Sequence, residues 1–208
     1  GGNDTLSALG GKDVFYGGGG KDHVSAGPGD DYIHGGEGND NLDGNYSGCI
    51  FLQDCRRLDI RGVTARNNNG DGISWQICHD VTVEKCHSHG HAGLALHPGS
   101  GSQRPVMRDN RLEDCDIGIF FCWGVKFGLA ENNIIEDTKS AGISVGHRDT
   151  DNIIRKNIVK RSGKFGILFR PERGEGFTGD RNLVEENTVI DTGDETAASR
   201  VDELEMVL

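Results

Sequence analysis

Single apolar residues recur at every ninth position through the first part of the chain: Leu6, Phe15, Val24, Ile33 and Leu42. Two residues before each lies an aspartate, at Asp4, Asp13, Asp22, Asp31 and Asp40. Two residues before each aspartate lies a glycine, at Gly2, Gly11, Gly20, Gly29 and Gly38. A strand of about three residues with one inward side chain, followed at once by a glycine turn, accounts for this period. Because one such unit cannot bury its apolar residue alone, the pattern predicts stacked repeats.

The turns of this short period offer oxygen ligands and neither nitrogen nor sulfur. Glycine turns direct backbone carbonyls inward and each aspartate adds a carboxylate, which together suit Ca²⁺. The five units resemble the RTX (repeats-in-toxin) pattern G-G-x-G-x-D-x-U-x over residues 1–45. The resemblance implies a calcium β-roll, in which the five aspartates and the carbonyls of the glycine turns hold the ions. It also implies a protein secreted by a type I route or displayed on a bacterial cell surface.

A longer period begins after Asn45. Glycines followed mainly by an aliphatic residue recur at spacings of 24, 21, 25, 24 and 24, at Gly48, Gly72, Gly93, Gly118, Gly142 and Gly166. Four asparagines share a register in the second short strands, at Asn110, Asn133, Asn157 and Asn187. Residues 46–193 resemble the right-handed parallel β-helix of pectate lyases, alginate lyases and alginate C-5 epimerases. The resemblance implies that the asparagines form a structural ladder from coil to coil.

We therefore predict an all-β fold, a right-handed parallel β-solenoid in which an RTX calcium β-roll (1–45) runs into a single-stranded right-handed β-helix (46–193). The tail, 194–208, departs from both periods and contains good helix formers. It is interpreted either as a short C-terminal capping helix or as a terminus of the kind that type I secretion substrates carry. Because the chain begins within a repeat, we expect it to have been cut from a longer protein.

Strand alternation predicts which side chains face the core after each glycine. The inward set is Ile73, Leu94, Ile119, Ile143 and Ile167, followed by Trp75, Leu96, Phe121, Val145 and Phe169. The residues that flank these strands should stack into an exposed strip, made of Gln76, His97, Trp123, His147, Arg148 and Arg170. Trp123 stands at a strand end, where it fits either a core position or a platform for a sugar ring.

Charge and cysteine content restrict the partners and ligands that we expect for this chain. The net charge of −11 arises at the two ends, because residues 46–190 hold 19 acids and 19 bases. This distribution gives no reason to expect a nucleic-acid partner, and no apolar run is long enough to cross a bilayer. We expect a monomer. The six cysteines lack the spacing of a zinc site. They are buried free thiols, or Cys55 and Cys78 of adjacent coils form a disulfide.

The exposed strip mixes bases, cations and an aromatic ring, which suits an anionic polysaccharide. Elimination or C-5 epimerisation of a uronate needs a cation for the carboxylate, a base and a proton donor. Arg148 and Arg170 are candidates for the cation, His97 or His91 for the base, and His147 or Tyr46 for the donor.

We therefore expect an extracellular calcium-binding β-helix protein that acts on acidic polysaccharide as a uronate lyase or C-5 epimerase. Alginate epimerases with RTX modules carry an Asp-Pro-His-type signature, whereas His97-Pro98-Gly99 lacks the aspartate. The alternative is a non-catalytic, calcium-stabilised carbohydrate-binding, adhesin or structural module.

Overall fold

The computed structural model describes residues 2, 4–7, 14–16, 19–20, 23–25, 30–34, 37–38, 49–68, 70–171 and 177–193. All regular elements in this part of the chain are β-strands, and their pairings are parallel. Successive strands pass from sheet to sheet in a repeating order, so that the chain winds as a right-handed parallel β-solenoid. The predicted fold class is confirmed. The tail at 194–208, with its predicted capping helix, lies outside the described residues.

The strands are short. In chain order they are β1 (Thr5–Ser7), β2 (Val14–Tyr16), β3 (Gly19–Gly20), β4 (His23–Ser25), β5 (Asp30–His34), β6 (Glu37–Gly38), β7 (Ile50–Gln53), β8 (Arg56–Arg61), β9 (Thr64–Arg66), β10 (Ile73–Gln76), β11 (His79–Glu84), β12 (His87–His89), β13 (Leu94–Pro98), β14 (Val106–Arg108), β15 (Arg111–Glu113), β16 (Ile117–Phe120), β17 (Leu129–Glu131), β18 (Ile134–Glu136), β19 (Ala141–Val145), β20 (Ile153–Arg155), β21 (Ile158–Lys160), β22 (Phe165–Phe169), β23 (Leu183–Glu185) and β24 (Thr188–Ile190).

Three long sheets run parallel to the solenoid axis. Sheet 1 has the order β1-β4-β7-β10-β13-β16-β19-β22, and sheet 2 has the order β2-β5-β8-β11-β14-β17-β20-β23. Sheet 3 contains β9, β12, β15, β18, β21 and β24. Each coil of the body therefore contributes one strand to each sheet, and the coils lie about 4.8 Å apart, as paired strands do.

The nonapeptide region winds with two repeats per coil. Leu6 pairs with Val24 in sheet 1, and Phe15 pairs with Ile33 in sheet 2, so that strands 18 residues apart lie side by side. The glycine positions stack with the same offset, since Gly20 pairs with Gly38. This arrangement is the one expected of a β-roll, with one apolar side chain per short strand.

The roll and the body share sheets 1 and 2. Val24 pairs with Ile50, and Ile33 pairs with Ile60, which connects the last described strands of the roll to the first coil of the body. Sheet 3 begins only at Thr64–Arg66. The predicted boundary at 45/46 falls between β6 and β7, and it remains a prediction that the two parts are separate domains.

The core is a set of apolar columns inside the coils. Ile73, Ile119 and Ile143 are fully buried in sheet 1, and Ile167 packs against the same cluster at its end. Trp75 and Phe121 are also fully buried, as predicted. Burial of such side chains contributes about 1.5–3 kcal/mol each, so these columns account for much of the stabilisation of the solenoid.

The predicted asparagine ladder is confirmed at the corner between sheets 2 and 3. Asn133 is fully buried. Its Nδ2 donates to the carbonyl of Met107 at 2.9 Å and to Oδ1 of Asn157 at 2.9 Å. Its Oδ1 accepts from the backbone and side chain of Asn110. Cys86 stands where the ladder would continue, and its N–H donates to Asn110 Oδ1 at 2.9 Å. The ladder thus satisfies buried backbone groups that the corner leaves without a sheet partner.

Leu94 and Phe169, which strand alternation predicts to face inward, are not part of the buried core. The spacing of the glycines aligns Leu94 with Ile73, but the strand register pairs Ile73 with Leu96, and Leu94 is only half-buried. Phe169 is 38% exposed, because it lies on β22, the last described strand of sheet 1, where no following strand covers it.

All six cysteines are thiols and not disulfides, which is the first of the two alternatives. Cys55 and Cys78 are neighbours, as the sequence predicts, and the N–H of Cys55 lies 3.3 Å from Sγ of Cys78. Burial raises the pKa of Cys86 to about 11 and that of Cys115 to about 12, which keeps both thiols protonated at neutral pH.

Candidate functional site

The residues of the predicted exposed strip do not form one column in the structure. Within sheet 1, His97 pairs with Ser74, whereas Gln76 pairs with Gln53 in the preceding coil. His97 therefore stands in the column of Ser74 and Phe120, two positions earlier in the coil than the spacing of the glycines indicates. The misplacement has one cause: Gly93 lies two residues too early to mark the same turn as Gly72 and Gly118.

His97 forms a close pair with Asp71 from the preceding coil. Its Nδ1 lies 2.7 Å from Oδ2 of Asp71, and Oδ1 of the same carboxylate accepts the N–H of Leu94 at 3.0 Å. A carboxylate on Nδ1 selects the tautomer with the proton on Nδ1 and leaves a lone pair on Nε2. That Nε2 is buried and has no hydrogen-bond partner among the described residues. The imidazole is thus oriented as a base is in catalytic Asp–His pairs.

Gly93 makes room for this pair. A Cβ at Gly93 would lie 2.6 Å from Oδ1 of Asp71 and 3.0 Å from the carbonyl oxygen of Gly70, closer than side chains are found. The close approach of the Asp71 carboxylate therefore requires a glycine at position 93. Gly93 is explained by this contact and not by the period of the other glycines.

Phe120 and Arg170 complete the cluster. The ring of Phe120 meets His97 edge to face at 5.6 Å, and the Arg170 guanidinium carbon lies 4.3 Å from the centre of the same ring. Arg170 reaches back across two coils, and it donates to Ser144 Oγ and to the carbonyl oxygen of Phe121, both at 2.9 Å. One aromatic ring thus contacts both a cation, over its face, and a candidate base.

Asp149 anchors this cation. Its side chain is fully buried, and Oδ2 accepts from Arg170 at 3.3 Å and from the N–H of Gly146 at 3.0 Å. Its Oδ1 accepts two further N–H groups at 2.9 Å, from Gly124 and Val125. Burial raises the pKa of Asp149, while the N–H donors and Arg170 oppose that shift. The carboxylate joins three successive coils.

The other predicted site residues lie together at the adjoining corner. His147 stacks on Trp123, with ring centres 5.0 Å apart and planes at 24°. Phe177 meets His147 edge to face at 5.7 Å and carries the Arg148 guanidinium at 5.2 Å from its ring centre. Trp123 is 58% exposed, so it is a surface residue and not part of the core.

The remaining candidates differ in outcome. His91 is buried, and burial lowers its pKa to about 4. Its Nδ1 accepts the N–H of Asn68 at 3.3 Å, and its Nε2 lies 3.0 Å from Ser88 Oγ. It is therefore a hydrogen-bonded core histidine and a poor candidate for the base. Tyr46, the alternative proton donor, lies outside the described residues.

The nonapeptide region supplies a ligand set that fits calcium. Asp4 directly precedes β1 and Asp31 lies in β5, while Asp13, Asp22 and Asp40 lie outside the described residues. Strands and glycine positions 18 residues apart pair with each other, and among the described residues no group of three or more His, Cys, Asp or Glu side chains forms a metal site. The donor set consists of carboxylates and carbonyls.

Sequence reasoning missed Asp71, Phe120, Ser144 and Asp149. Phe120 and Ser144 occupy equivalent positions of the longer period, but no repeated residue type marks the cluster, and only Gly93, out of phase with its neighbours, signals that something unusual lies beside it. A shallow hollow at another corner does not touch this cluster; it is lined by Asn67, Asn68, Gly90, His91, Ala92, Asp114 and Lys139. Within the described ranges there is no helix with the length and apolarity of a membrane span.

Comparison with known proteins supports the fold. No curated protein sequence matches the chain. Among solved structures it is similar to an alginate lyase from Paenibacillus sp. str. FPU-7, at 12% identity and a TM-score of 0.50, over 92% of this chain and 98% of that chain. At this identity the likeness shows the fold alone.

Two family profiles match the sequence. The RTX calcium-binding nonapeptide repeat (4 copies) matches residues 1–33 and 17–45. RTX repeats bind calcium and are typical of secreted proteins. The profile described as the right handed beta helix region matches residues 39–200. The chain therefore belongs to the right-handed β-helix family and carries RTX calcium-binding repeats at its N-terminal end.

Proposed function

We propose that this protein acts on an acidic polysaccharide, as a lyase or C-5 epimerase that removes the proton from C5 of a uronate. The observation that carries the proposal is the Asp71–His97 pair, in which Nδ1 is held by a carboxylate and Nε2 has no partner. The likeness to an alginate lyase supports the substrate class without assigning residues.

His97 is the base in this proposal. Its Nε2 is covered in this structure, so the substrate must displace the side chains around it before Nε2 accepts the C5 proton; the Asp71 carboxylate then stabilises the imidazolium that forms. In elimination, the electron pair of the C5–H bond becomes the C4–C5 double bond, the C4–O bond breaks and the leaving oxygen takes a proton. His97 can return its proton to that oxygen when both lie on the same face of the sugar. In epimerisation the C4–O bond stays intact, no group leaves, and C5 takes a proton back on the opposite face from a second donor.

Arg170 supplies the positive charge in this proposal. The C5 proton is acidic enough to remove only if the charge that develops on the adjacent carboxylate is stabilised. The Arg170 guanidinium lies over the same Phe120 ring that His97 contacts, and its side chain keeps 18% exposure. Its bonds to Ser144 and Asp149 fix its position before substrate arrives, which is the preorganisation that such catalysis requires.

Calcium has a structural role in the proposal. We assign the ions to Asp4, Asp13, Asp22, Asp31 and Asp40, with the carbonyls of the Gly2, Gly11, Gly20, Gly29 and Gly38 turns. Where free Ca²⁺ is scarce these carboxylates repel each other, and outside the cell ion binding offsets the repulsion. The roll then completes sheets 1 and 2 at the first coil of the body. This coupling suits an extracellular protein.

A specific observation favours the alternative, a non-catalytic carbohydrate-binding module. The segment at 97–105 follows the coils instead of forming a wall, since Gly101 N–H donates to the Trp123 carbonyl and Gln103 bridges His79 and Lys126. Without a wall at 97–105, this part of the described surface suits the binding of a polymer as well as its cleavage.

Assay of the purified protein with Ca²⁺ on alginate, pectate and neutral glycans tests the proposal. Ultraviolet absorbance follows unsaturated uronates, and proton NMR follows epimerised ones. We expect activity that falls about 10²-fold or more in His97→Ala and Asp71→Asn, because the base is lost or its tautomer is wrong. His79→Ala, a half-exposed histidine on sheet 2, is the matched control. Binding of acidic glycans without any turnover would establish the module instead.

A further inference from the structure

An exposed cluster of rings lies at the corner that follows sheet 1. It consists of Trp123, His147, Phe177 and the Arg148 guanidinium, and we call it the aromatic corner. Trp123 is 58% exposed and Phe177 is 40% exposed. The rings support one another, at 5.0 Å between Trp123 and His147 and 5.7 Å between His147 and Phe177. The indole therefore has a prepared position in contact with solvent.

Trp123 and His147 both have positive φ, a backbone conformation that is adopted mainly by polar residues in this protein. Among the described residues, 21 other than glycine have positive φ, and 17 of these are Asp, Asn, Glu, Lys or Arg. Polar residues fit such solvated corners, and Asp and Asn also tolerate the left-handed region well. Ile77, Trp123, Phe127 and His147 are the other four. Trp123, at φ 60°, combines a strained backbone with an exposed apolar side chain, and neither favours folding.

The aromatic corner and the Arg170 cluster share one anchor. Asp149 accepts N–H groups from Gly124, directly after Trp123, and from Gly146, directly before His147. The same carboxylate binds Arg170. The two surfaces are thus held in one fixed relation by a single buried side chain.

From this geometry we infer that the aromatic corner is a binding subsite for one uronate residue of the polysaccharide, beside the residue that reaches His97. The indole offers a flat apolar face to the C–H face of a pyranose ring. Arg148 is exposed, and a guanidinium that stacks by its face still presents N–H donors at its edge for a carboxylate. His147 and Arg148 then bind substrate and do not transfer protons. The inference rests on the proposed function.

Tryptophan fluorescence can observe this subsite directly. The chain has two tryptophans, and Trp75 is fully buried, so iodide should quench Trp123 alone. The probes are oligomers of alginate and of polygalacturonate, with cello-oligosaccharides of equal length as neutral controls. The His97→Ala variant serves as the binding protein so that no probe is consumed. We expect the acidic oligomers to shield Trp123 from iodide and the neutral ones to leave quenching unchanged.

Calorimetric titration of variants gives the second measurement. Trp123→Ala in the same background should weaken binding at least about fivefold, and Trp123→Phe should restore part of it. Phe127→Ala is the matched control, because Phe127 is 57% exposed at φ 57° and has no ring partner among the described residues. In the active protein, Trp123→Ala should raise KM and leave kcat nearly unchanged.

The outcomes separate the inference from the proposed function. Binding of acidic oligomers that Trp123→Ala leaves as tight as Phe127→Ala does would overturn the inference alone. Equal shielding by neutral oligomers would overturn the assignment to a uronate. If no acidic oligomer binds or is turned over, the proposed function fails, and the subsite fails with it.

Discussion

Acidification should destabilise this protein because His91 must take up a proton, and the substitution His91→Gln should remove this part of the pH dependence. His91 is 1% exposed, and its Nδ1 accepts the N–H of Asn68. Its Nε2–H is then the donor to Ser88 Oγ, and that hydroxyl donates to the carbonyl of Ala95 at 3.0 Å. Each proton in this series of hydrogen bonds has an acceptor only when the imidazole of His91 is neutral. A second proton on Nδ1 would face the N–H of Asn68 inside the core.

The magnitude follows from the difference between the folded and unfolded pKa values. Burial lowers the pKa of folded His91 to about 4, whereas an unfolded histidine titrates near 6.5. Between these values the unfolded chain binds the additional proton, so the free energy of unfolding falls as pH decreases through this window. The contribution of His91 is fully present above pH ~6.5, and the loss reaches about 3 kcal/mol near pH ~4.

Urea unfolding at a series of pH values in saturating Ca²⁺ measures this effect, with wild type compared to His91→Gln. Subtracting the free energy of unfolding of His91→Gln from that of wild type at each pH cancels the titration of the carboxylates in the nonapeptide region, because both proteins contain them. We expect the wild-type curve to fall more steeply below pH ~6.5, by up to about 1.4 kcal/mol per pH unit. Val159→Ala, destabilised by lost packing at a fully buried position, controls for reduced stability itself. Parallel curves for wild type and His91→Gln would refute the reasoning.

Three further outcomes are expected. Asn133→Ala should lower the free energy of unfolding by about 3–5 kcal/mol, because it leaves several buried groups unpaired, and Asn187→Ala in the half-buried last coil should cost less; equal losses in urea unfolding would contradict the ladder. Chelation of Ca²⁺ should lower the Tm and reduce the strand signal in circular dichroism, with recovery on adding the ion; a spectrum and Tm that ignore chelation would contradict a calcium-dependent roll. Asp149→Asn should destabilise by about 2–5 kcal/mol, because an amide N–H₂ would oppose the N–H of Gly146 or the Arg170 guanidinium; unchanged thermal unfolding would show that the buried carboxylate is not needed.

The sequence determined the architecture because both periods are local. Nine-residue spacing places one apolar residue per strand, and the longer glycine period sets the length of a coil. Registered asparagines such as Asn133 and Asn157 identify the corner between two sheets, and alternation identifies Trp75 and Phe121 as core. Each of these features depends on a residue and its equivalents one coil away, so a repeating pattern suffices to find them.

Only the tertiary structure decided the site, since the period does not determine which of its members meet. Asp71 and His97 are 26 residues apart, and Arg170 reaches a carbonyl 49 residues earlier in the chain. Which side chains meet depends on the register between coils, and because Gly93 lies two residues early, the glycine spacing assigns His97 to the wrong column. A shift of two residues preserves the inward and outward faces of a strand while it changes every lateral neighbour. Hydrophobic pattern therefore determines the solenoid, and the register between coils determines which residues form the candidate site.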